Sequence, residues 1–527
     1  GPDGLWHPIA VPLALAGHGR LVLDTEVHRK AGTGGRRTPE AVDPAEAAVW
    51  GDPRILTGRR QPGPNLLILA VDTLRTDVVG AWGDPLRLTP NIDDLASRSV
   101  RFADLTAPAP WTLPSFATLL TGLPPEVHGA GRRLPPETPG VADNGISRLP
   151  PEVETLAEVL GAAGFETASR YNNVYLRPTF GIEQGFDEHR GFHFKTRASE
   201  VVNDGIRWLK DHRDRRFFLF LHVLDPHTPY FPPQDYCRDV ARRLVPAERQ
   251  GRCRVVRTSG GLDLPPQRRE WARALYRAEV AYTDFHLGRL LRAVGDLGLA
   301  DDTVILFVSD HGEELWENQE SERRYGYTPV ADHGHSLYRE LLHVPGLLHV
   351  PEPLAIPGWE PGVWEEPVEL ADFFPTVLAL LGVAPPERRV ESDGSPAGRD
   401  LGATARGALE DRARLAGSLL YGPQRVSVRR GPWKLILPVE EGRVDLRRLE
   451  LYHLGRDPGE DLNLAASVSA DGDPEAAREL ERLARRLRRE LRGRDQLRRA
   501  LGLPQIGERA RADRDQIESL KALGYVN

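Results

Sequence analysis

Methionine is absent from all 527 residues, the initiator included, so the chain reads as a processed or trimmed product from which any export signal is expected to have been removed. Lysine is nearly absent too: Lys30, Lys195, Lys210, Lys434 and Lys521 stand among 69 basic residues. No ammonium is available between Lys30 and Lys195 or between Lys210 and Lys434, so an anion held by those stretches must be held by other groups. The two cysteines, Cys237 and Cys253, are too few for a thiolate metal cluster without nearby histidines. Their place in an Arg-rich insert leaves two readings open: a disulfide in an exported protein, worth about 3 kcal/mol in the chain-entropy model, or two unpaired thiols. Long hydrophobic runs are missing; those at 65–71 and 217–224 fall well short of the roughly 20 residues of a membrane-spanning helix. Excess basic charge is missing as well, and a net charge of -7 gives no reason to expect a nucleic-acid partner.

What is present is an ordinary globular composition, 40% apolar and 28% charged. Apolar strand patterns at 66–71, 217–224 and 304–308 alternate with helical patterns at 91–97, 153–163, 268–294 and 368–381. That alternation predicts an α/β fold with a mixed, mainly parallel sheet between helices. Four parts are expected: an N-terminal extension over 1–60, a catalytic α/β domain over 61–400, a small C-terminal α+β domain built on an antiparallel sheet over 401–465, and a helical tail over 466–527. The extension carries a strand pattern at 9–15 and 20–27 and a Gly/Arg-rich link at 30–37, while Pro, Gly and charged residues at 385–415 read as a linker or exposed loop. Short strands are expected at 424–428, 433–438 and 449–453. The tail's helix, 474–500, carries Leu480, Leu483, Leu487 and Leu491 on one stripe, and its arginines read as a solvated face, with binding to an anionic surface the alternative.

Two of the apolar runs end in chemistry. Asn65 to Val71 leads into Asp72, and Thr303 to Val308 leads into Ser309, Asp310 and His311. Ligands of open α/β sheets gather at the carboxyl ends of strands, so these residues can converge from distant parts of the chain. Between them lies Thr112-Leu113-Pro114-Ser115, with a hydroxyl suited to nucleophilic attack once a metal lowers its pKa. Taken singly, Asp72 reads as a helix cap, Asp310-His311 as a loop pair and Thr112 as an N-cap.

The order of these motifs is specific. Val71-Asp72-Thr73-Leu74-Arg75 is followed by Thr112-Leu113-Pro114-Ser115 before Leu119-Leu120-Thr121-Gly122, then by Asp225-Pro226-His227-Thr228-Pro229-Tyr230, then by Ser309-Asp310-His311-Gly312. With the stretches 334–345 and 451–464, this pattern resembles the sulfatase branch of the alkaline phosphatase superfamily from about Asn65 to about Leu464. The resemblance implies an alkaline phosphatase-like fold and one divalent metal ion held by Asp72, Thr112, Asp310 and His311. Thr112 stands where family sulfatases carry the cysteine that becomes formylglycine, and Phe116 where their signature has arginine. The family's two sulfate-gripping lysines are also missing: 167–173 and Asp332-His333-Gly334-His335 stand in their places.

A threonine ester cannot collapse to an aldehyde and must be cleaved by a second displacement, which suits relatives that handle phosphate esters. The resemblance assigns Thr112, His227 and His333 to catalysis, and His227, His333, His335 and Asn173, or an arginine, to the bound anion. Thr73 replaces a second aspartate, which favours manganese or zinc over calcium. A second ion, from Asp225, His227 and either His333 or His335, remains open, although Asp225-x-His227 differs from the spacing of two-zinc members. The expected function is ester hydrolysis of phosphodiesters or phosphonate monoesters, with sulfate esters also open, in a secreted or periplasmic protein. Its substrate is a small-molecule, glycan-linked or lipid-linked anionic ester. The alternatives are a phosphoethanolamine transferase-like enzyme and a degenerate anion- or glycan-binding member. The loops 132–146 and 237–264 carry no readable code for the leaving group.

Overall fold

The structure is a computed structural model that describes residues 63–523 apart from 135–144, 254–263, 319–331, 355, 387–396, 405–411, 441–442, 445–447, 466–467, 469–471 and 505–506. The expected N-terminal extension, its strand pair and its link lie outside the described residues, as do parts of the two loops at 132–146 and 237–264.

The strand Asn65–Val71 is apolar at almost every position because both of its faces are covered. Leu66, Ile68 and Ala70 enter one hydrophobic core with Leu113, Phe116 and Leu120. Leu67, Leu69 and Val71 enter a second with Val201, Leu209, Leu275 and Leu287, which come from the helices Ala198–His212 and Pro266–Asp296. Around this strand runs an eight-stranded sheet, in spatial order Glu188–Gly191, Glu166–Tyr171, Phe217–Val223, Asn65–Val71, Thr303–Ser309, Gly346–His349, Val100–Phe102 and Gly362–Trp364. Of these strands only Gly346–His349 runs against the others, so the sheet is mixed and mainly parallel. Asn65–Val71 lies between Phe217–Val223, with Ala70 opposite His222, and Thr303–Ser309, with Val71 opposite Ser309. This register brings three carboxyl ends level at one edge.

A separate antiparallel sheet follows, formed by Arg414–Ala416, Arg425–Arg430, Trp433–Glu440 and Arg443–Val444, with Glu450–His453 also paired to Trp433–Glu440. The helix Pro474–Ala500 closes its apolar face through Ala476, Leu483 and Leu487, with Leu480 and Leu491 partly buried beside them. Not all of the helix's arginines are solvated: Arg494 meets Glu126 at 2.5 Å and Arg498 donates to the Val127 carbonyl, both buried. Two further sequence expectations change. The helical pattern at 368–381 splits into a strand Val368–Glu369 and a helix Phe373–Leu380, because Val368 and Glu369 pair with Leu105 and Thr106. The stretch read as linker ends in buried structure, where Arg412 pairs with Glu369 and Asp372 and Arg414 with Asp104. Cys237 and Cys253 are joined in a disulfide with Cα atoms 5.9 Å apart. Among the described residues no helix is long and apolar enough to cross a membrane.

Candidate active site

Asp72, Thr112, Asp310 and His311 come together where the central strands end, and all four are fully buried. Their contacts leave lone pairs aimed at a common point. Asp72 Oδ2 accepts from Asn173 Nδ2 at 2.6 Å and from His222 Nε2 at 3.1 Å, whereas Oδ1 has no hydrogen-bond partner. Asp310 Oδ1 accepts from the Thr73 amide at 3.4 Å, and Oδ2 is likewise without a hydrogen-bond partner. His311 Nδ1 donates to the Gly312 carbonyl at 2.8 Å, which leaves the lone pair of the neutral ring on Nε2. That nitrogen lies 3.3 Å from Asp310 Oδ2, 3.6 Å from Asp72 Oδ1 and 3.5 Å from Thr112 Oγ1. These separations exceed ordinary hydrogen bonds and approach the edge of about 3.4 Å between ligands of a tetrahedral ion with bonds of about 2.1 Å. The donor set therefore fits a divalent metal.

Electrostatics make the same demand. Burial alone would raise the Asp72 carboxyl, but the His222 hydrogen bond and the nearby His227 and His311 hold it below its ordinary value. Burial would lower the His311 imidazole, yet Asp310 and Asp72 raise it. The two carboxylates thus draw positive charge into the pocket.

Local backbone chemistry sets these groups in place. Thr73 adopts φ +53°, an unfavourable region for a β-branched residue, and this turns its amide toward Asp310 while its carbonyl accepts from Tyr276 at 2.8 Å. Gly312 has no substitute, since an added Cβ would lie 1.8 Å from the Glu340 carbonyl oxygen. Thr112 opens the helix Thr112–Thr121, whose N-cap is the extended Trp111, so the helix's positive end faces the hydroxyl. Trp111 is pinned by donating to the Ser418 carbonyl at 2.6 Å. Phe116 lies edge-on to the His222 ring at 5.3 Å, filling the place where the resemblance led us to look for arginine.

Of the anion-binding candidates, Asn173 is central: its Nδ2 reaches Thr112 Oγ1 at 3.1 Å as well as Asp72, while its Oδ1 accepts from the Tyr175 amide. His227 is 5% exposed and donates from Nδ1 to the Thr228 carbonyl. Burial lowers its pKa, with Asp72 and Asp310 pulling the other way. His333 and His335 part company here. The His333 ring lies 4.5 Å from His311 and 4.7 Å from His227, whereas His335 Nε2 pairs with Glu314 Oε2 at 2.9 Å. The arginines at the site's margins are committed elsewhere: Arg75 to Asp77, Glu317 and the Glu313 carbonyl, Arg170 to Asp204 and Glu188.

The donor set considered for a second ion, led by Asp225, does not assemble among the described residues. Asp225 Oδ2 instead accepts from the Ala198 amide at 2.9 Å, at the start of a helix. Three residues escaped the sequence reading. His222 was absorbed into an apolar run, although one imidazole in the buried strand Phe217–Val223 was its signal. Glu313 and Glu314 lie just past the Ser-Asp-His-Gly motif, where no spacing rule singles them out.

Residues 64–383 match the family model described as Sulfatase. Human arylsulfatase A is 26% identical over 500 residues, covering 80% of this chain and 87% of that one. The crystal structure of the phosphonate monoester hydrolase of Agrobacterium radiobacter superposes with a TM-score of 0.62 at 20% identity, covering 81% of this chain and 96% of that one. A solved structure in complex with its substrate D-glucosamine-2-N,6-O-disulfate superposes with a TM-score of 0.59 at 19% identity, covering 82% and 99%.

Proposed function

The chain belongs to the sulfatase family and is a hydrolase of sulfuric or phosphoric ester bonds; on that premise we propose a metal-dependent enzyme in which Thr112 is the nucleophile, acting on phosphodiesters or phosphonate monoesters. One observation carries this reading. The Thr112 hydroxyl lies buried at a helix N-terminus, 3.1 Å from Asn173 Nδ2 and 3.5 Å from His311 Nε2, beside two carboxylate oxygens that have no hydrogen-bond partner.

A divalent ion held by Asp72, Thr112, Asp310 and His311 would supply Lewis acidity and lower the pKa of the Thr112 hydroxyl. Three oxygens and one imidazole nitrogen suit zinc or manganese. Asn173 stabilises the developing negative charge on Thr112 Oγ1, and His222 and Asn173 together keep Asp72 Oδ1 turned inward. With its proton released to solvent, Thr112 Oγ1 attacks, forming an Oγ1–P bond as the bond from phosphorus to the leaving oxygen breaks. Because His227 Nδ1 is committed to Thr228, protonating that oxygen requires a second proton on Nε2, which a bound anion favours. Water then attacks phosphorus, giving a proton back to His227 Nε2, and the Oγ1–P bond breaks to release Thr112. No lysine or arginine ammonium or guanidinium is needed in this cycle.

The Cys237–Cys253 disulfide supports placing the protein in an oxidising, exported compartment. The substrate is an anionic ester on a small molecule, glycan or lipid.

The test is turnover of paired aryl phosphodiester, phosphonate and sulfate esters by wild type, Thr112→Ala and Thr112→Ser. Mass spectrometry of quenched wild type should find a phospho-adduct on the peptide containing Thr112. Undiminished turnover by Thr112→Ala rules out this nucleophile, and turnover confined to sulfate esters rules out the substrate class.

A further inference from the structure

A second group of three donors adjoins the first. Glu313, Asp332 and His333 each offer a ligand atom, and these atoms lie within 4.8 Å of one another. His333 Nδ1 is hydrogen-bonded to Glu313 Oε1 at 3.2 Å and lies 3.3 Å from Asp332 Oδ1, which also accepts from the His333 amide at 2.9 Å. Two ligands of one ion are spaced like this: with bonds of about 2.1 Å, tetrahedral neighbours are about 3.4 Å apart and octahedral neighbours about 3.0 Å. Glu313 and His333 have no solvent exposure and Asp332 has 6%.

An independent observation points to a ligand. Glu313 Oε2 is buried in this group with no hydrogen-bond partner, which is costly unless something positive meets it. Two carboxylates and one imidazole give the charge and hardness that a divalent ion of the zinc or manganese class prefers. The three residues come from two strands of chain held in register by paired backbone bonds, Glu314 N to Asp332 O at 3.0 Å and Asp332 N to Glu314 O at 3.1 Å. The donors are therefore preorganised, as a metal site requires.

We propose that Glu313, Asp332 and His333 bind a second divalent cation beside the centre formed by Asp72, Thr112, Asp310 and His311. The site owes nothing to Asp225. Its occupancy is independent of the Thr112 reading, and only its contribution to turnover, a second positive charge near the anionic ester, rests on that reading.

The experiment is elemental analysis of purified full-length protein, loaded with zinc alone and dialysed. Wild type should hold two equivalents, Glu313→Gln one and Asp72→Asn one. A wild type with a single equivalent that Glu313→Gln keeps and Asp72→Asn loses overturns the second site while sparing the first. A single equivalent lost in Glu313→Gln and kept in Asp72→Asn supports the second site and overturns the first; no bound zinc overturns both. Should Glu313→Gln fail to fold, anomalous diffraction from wild-type crystals soaked in manganese decides the matter. A peak bounded by Glu313, Asp332 and His333 supports the proposal, and a peak at Asp72 alone overturns it.

Discussion

The side-chain amide of Asn173 donates to the Thr112 hydroxyl oxygen across 3.1 Å. Because the same nitrogen also holds Asp72 Oδ2 at 2.6 Å, Asn173 couples the orientation of the proposed nucleophile to that of the carboxylate proposed to bind the metal. Asn173→Ala should lower kcat roughly 10- to 100-fold, the usual cost of removing a partner of a metal ligand, with KM changed much less. A change confined to KM would mean that Asn173 serves the bound anion only.

Chelation should abolish turnover and also destabilise the fold, since Asp72 and Asp310 would be left buried at 0% exposure beside each other. Metal present at about 1,000 times its Kd stabilises the native state by about 4 kcal/mol, so the urea midpoint should fall on chelation and recover when zinc or manganese is restored. An unchanged midpoint would argue against a buried ion.

His222 shows why part of this site was hidden in the sequence. The segment Phe217–Val223 reads as a buried strand, and the register with Ala70 that aims its imidazole at Asp72 exists only once the sheet has formed. Asp72, Thr112, Asp310 and His311 were legible because each ends a strand or opens a helix in a fixed order. Separating His333 from His335 was beyond the sequence, for the positive φ of Gly334 between them, +79°, sends the two rings to different partners. The strand Val368–Glu369 was lost to a helical pattern because its pairing with Leu105 and Thr106 is non-local.

Stability should fall with acid through neutral histidines, His128 buried and His189 and His343 half-buried. Burial pushes His128 down to about 3, and burial brings His189 and His343 to about 4, from 6.5 in an open chain. Below pH 6.5 the unfolded chain takes up protons that the native state refuses, so the stability these residues contribute is complete above that pH and lost progressively toward pH 3–4. At pH 5 each should cost about 2 kcal/mol relative to pH 7.5. Urea unfolding at both pH values is the measurement, and His128→Asn should shrink the difference by about that amount. An equal difference in wild type and variant would refute the assignment.

Asp104 joins the main sheet to the second one, accepting from Arg414 at 2.7 Å and from Arg429 through two bonds of 2.9 Å. These cations hold its carboxyl well below the usual range despite burial. Asp104→Asn leaves two largely buried guanidiniums facing each other, and should destabilise the protein by about 3 kcal/mol, less than a wholly enclosed pair because Arg429 retains some water. Thermal melting checks this, with Asp94→Asn on the surface as control; equal melting temperatures for both would dismiss the ion pair.

The paired backbone bonds between Glu314 and Asp332 also act as a neck. Glu313 stands just before it and His333 just after Asp332, so this closure, and not the number of residues between, sets the spacing of the donors. Each doubling there costs only about 0.6 kcal/mol of closure entropy. Insertions at this point offer a route by which such a scaffold can acquire new recognition loops, or accept a grafted peptide, without disturbing its chemistry.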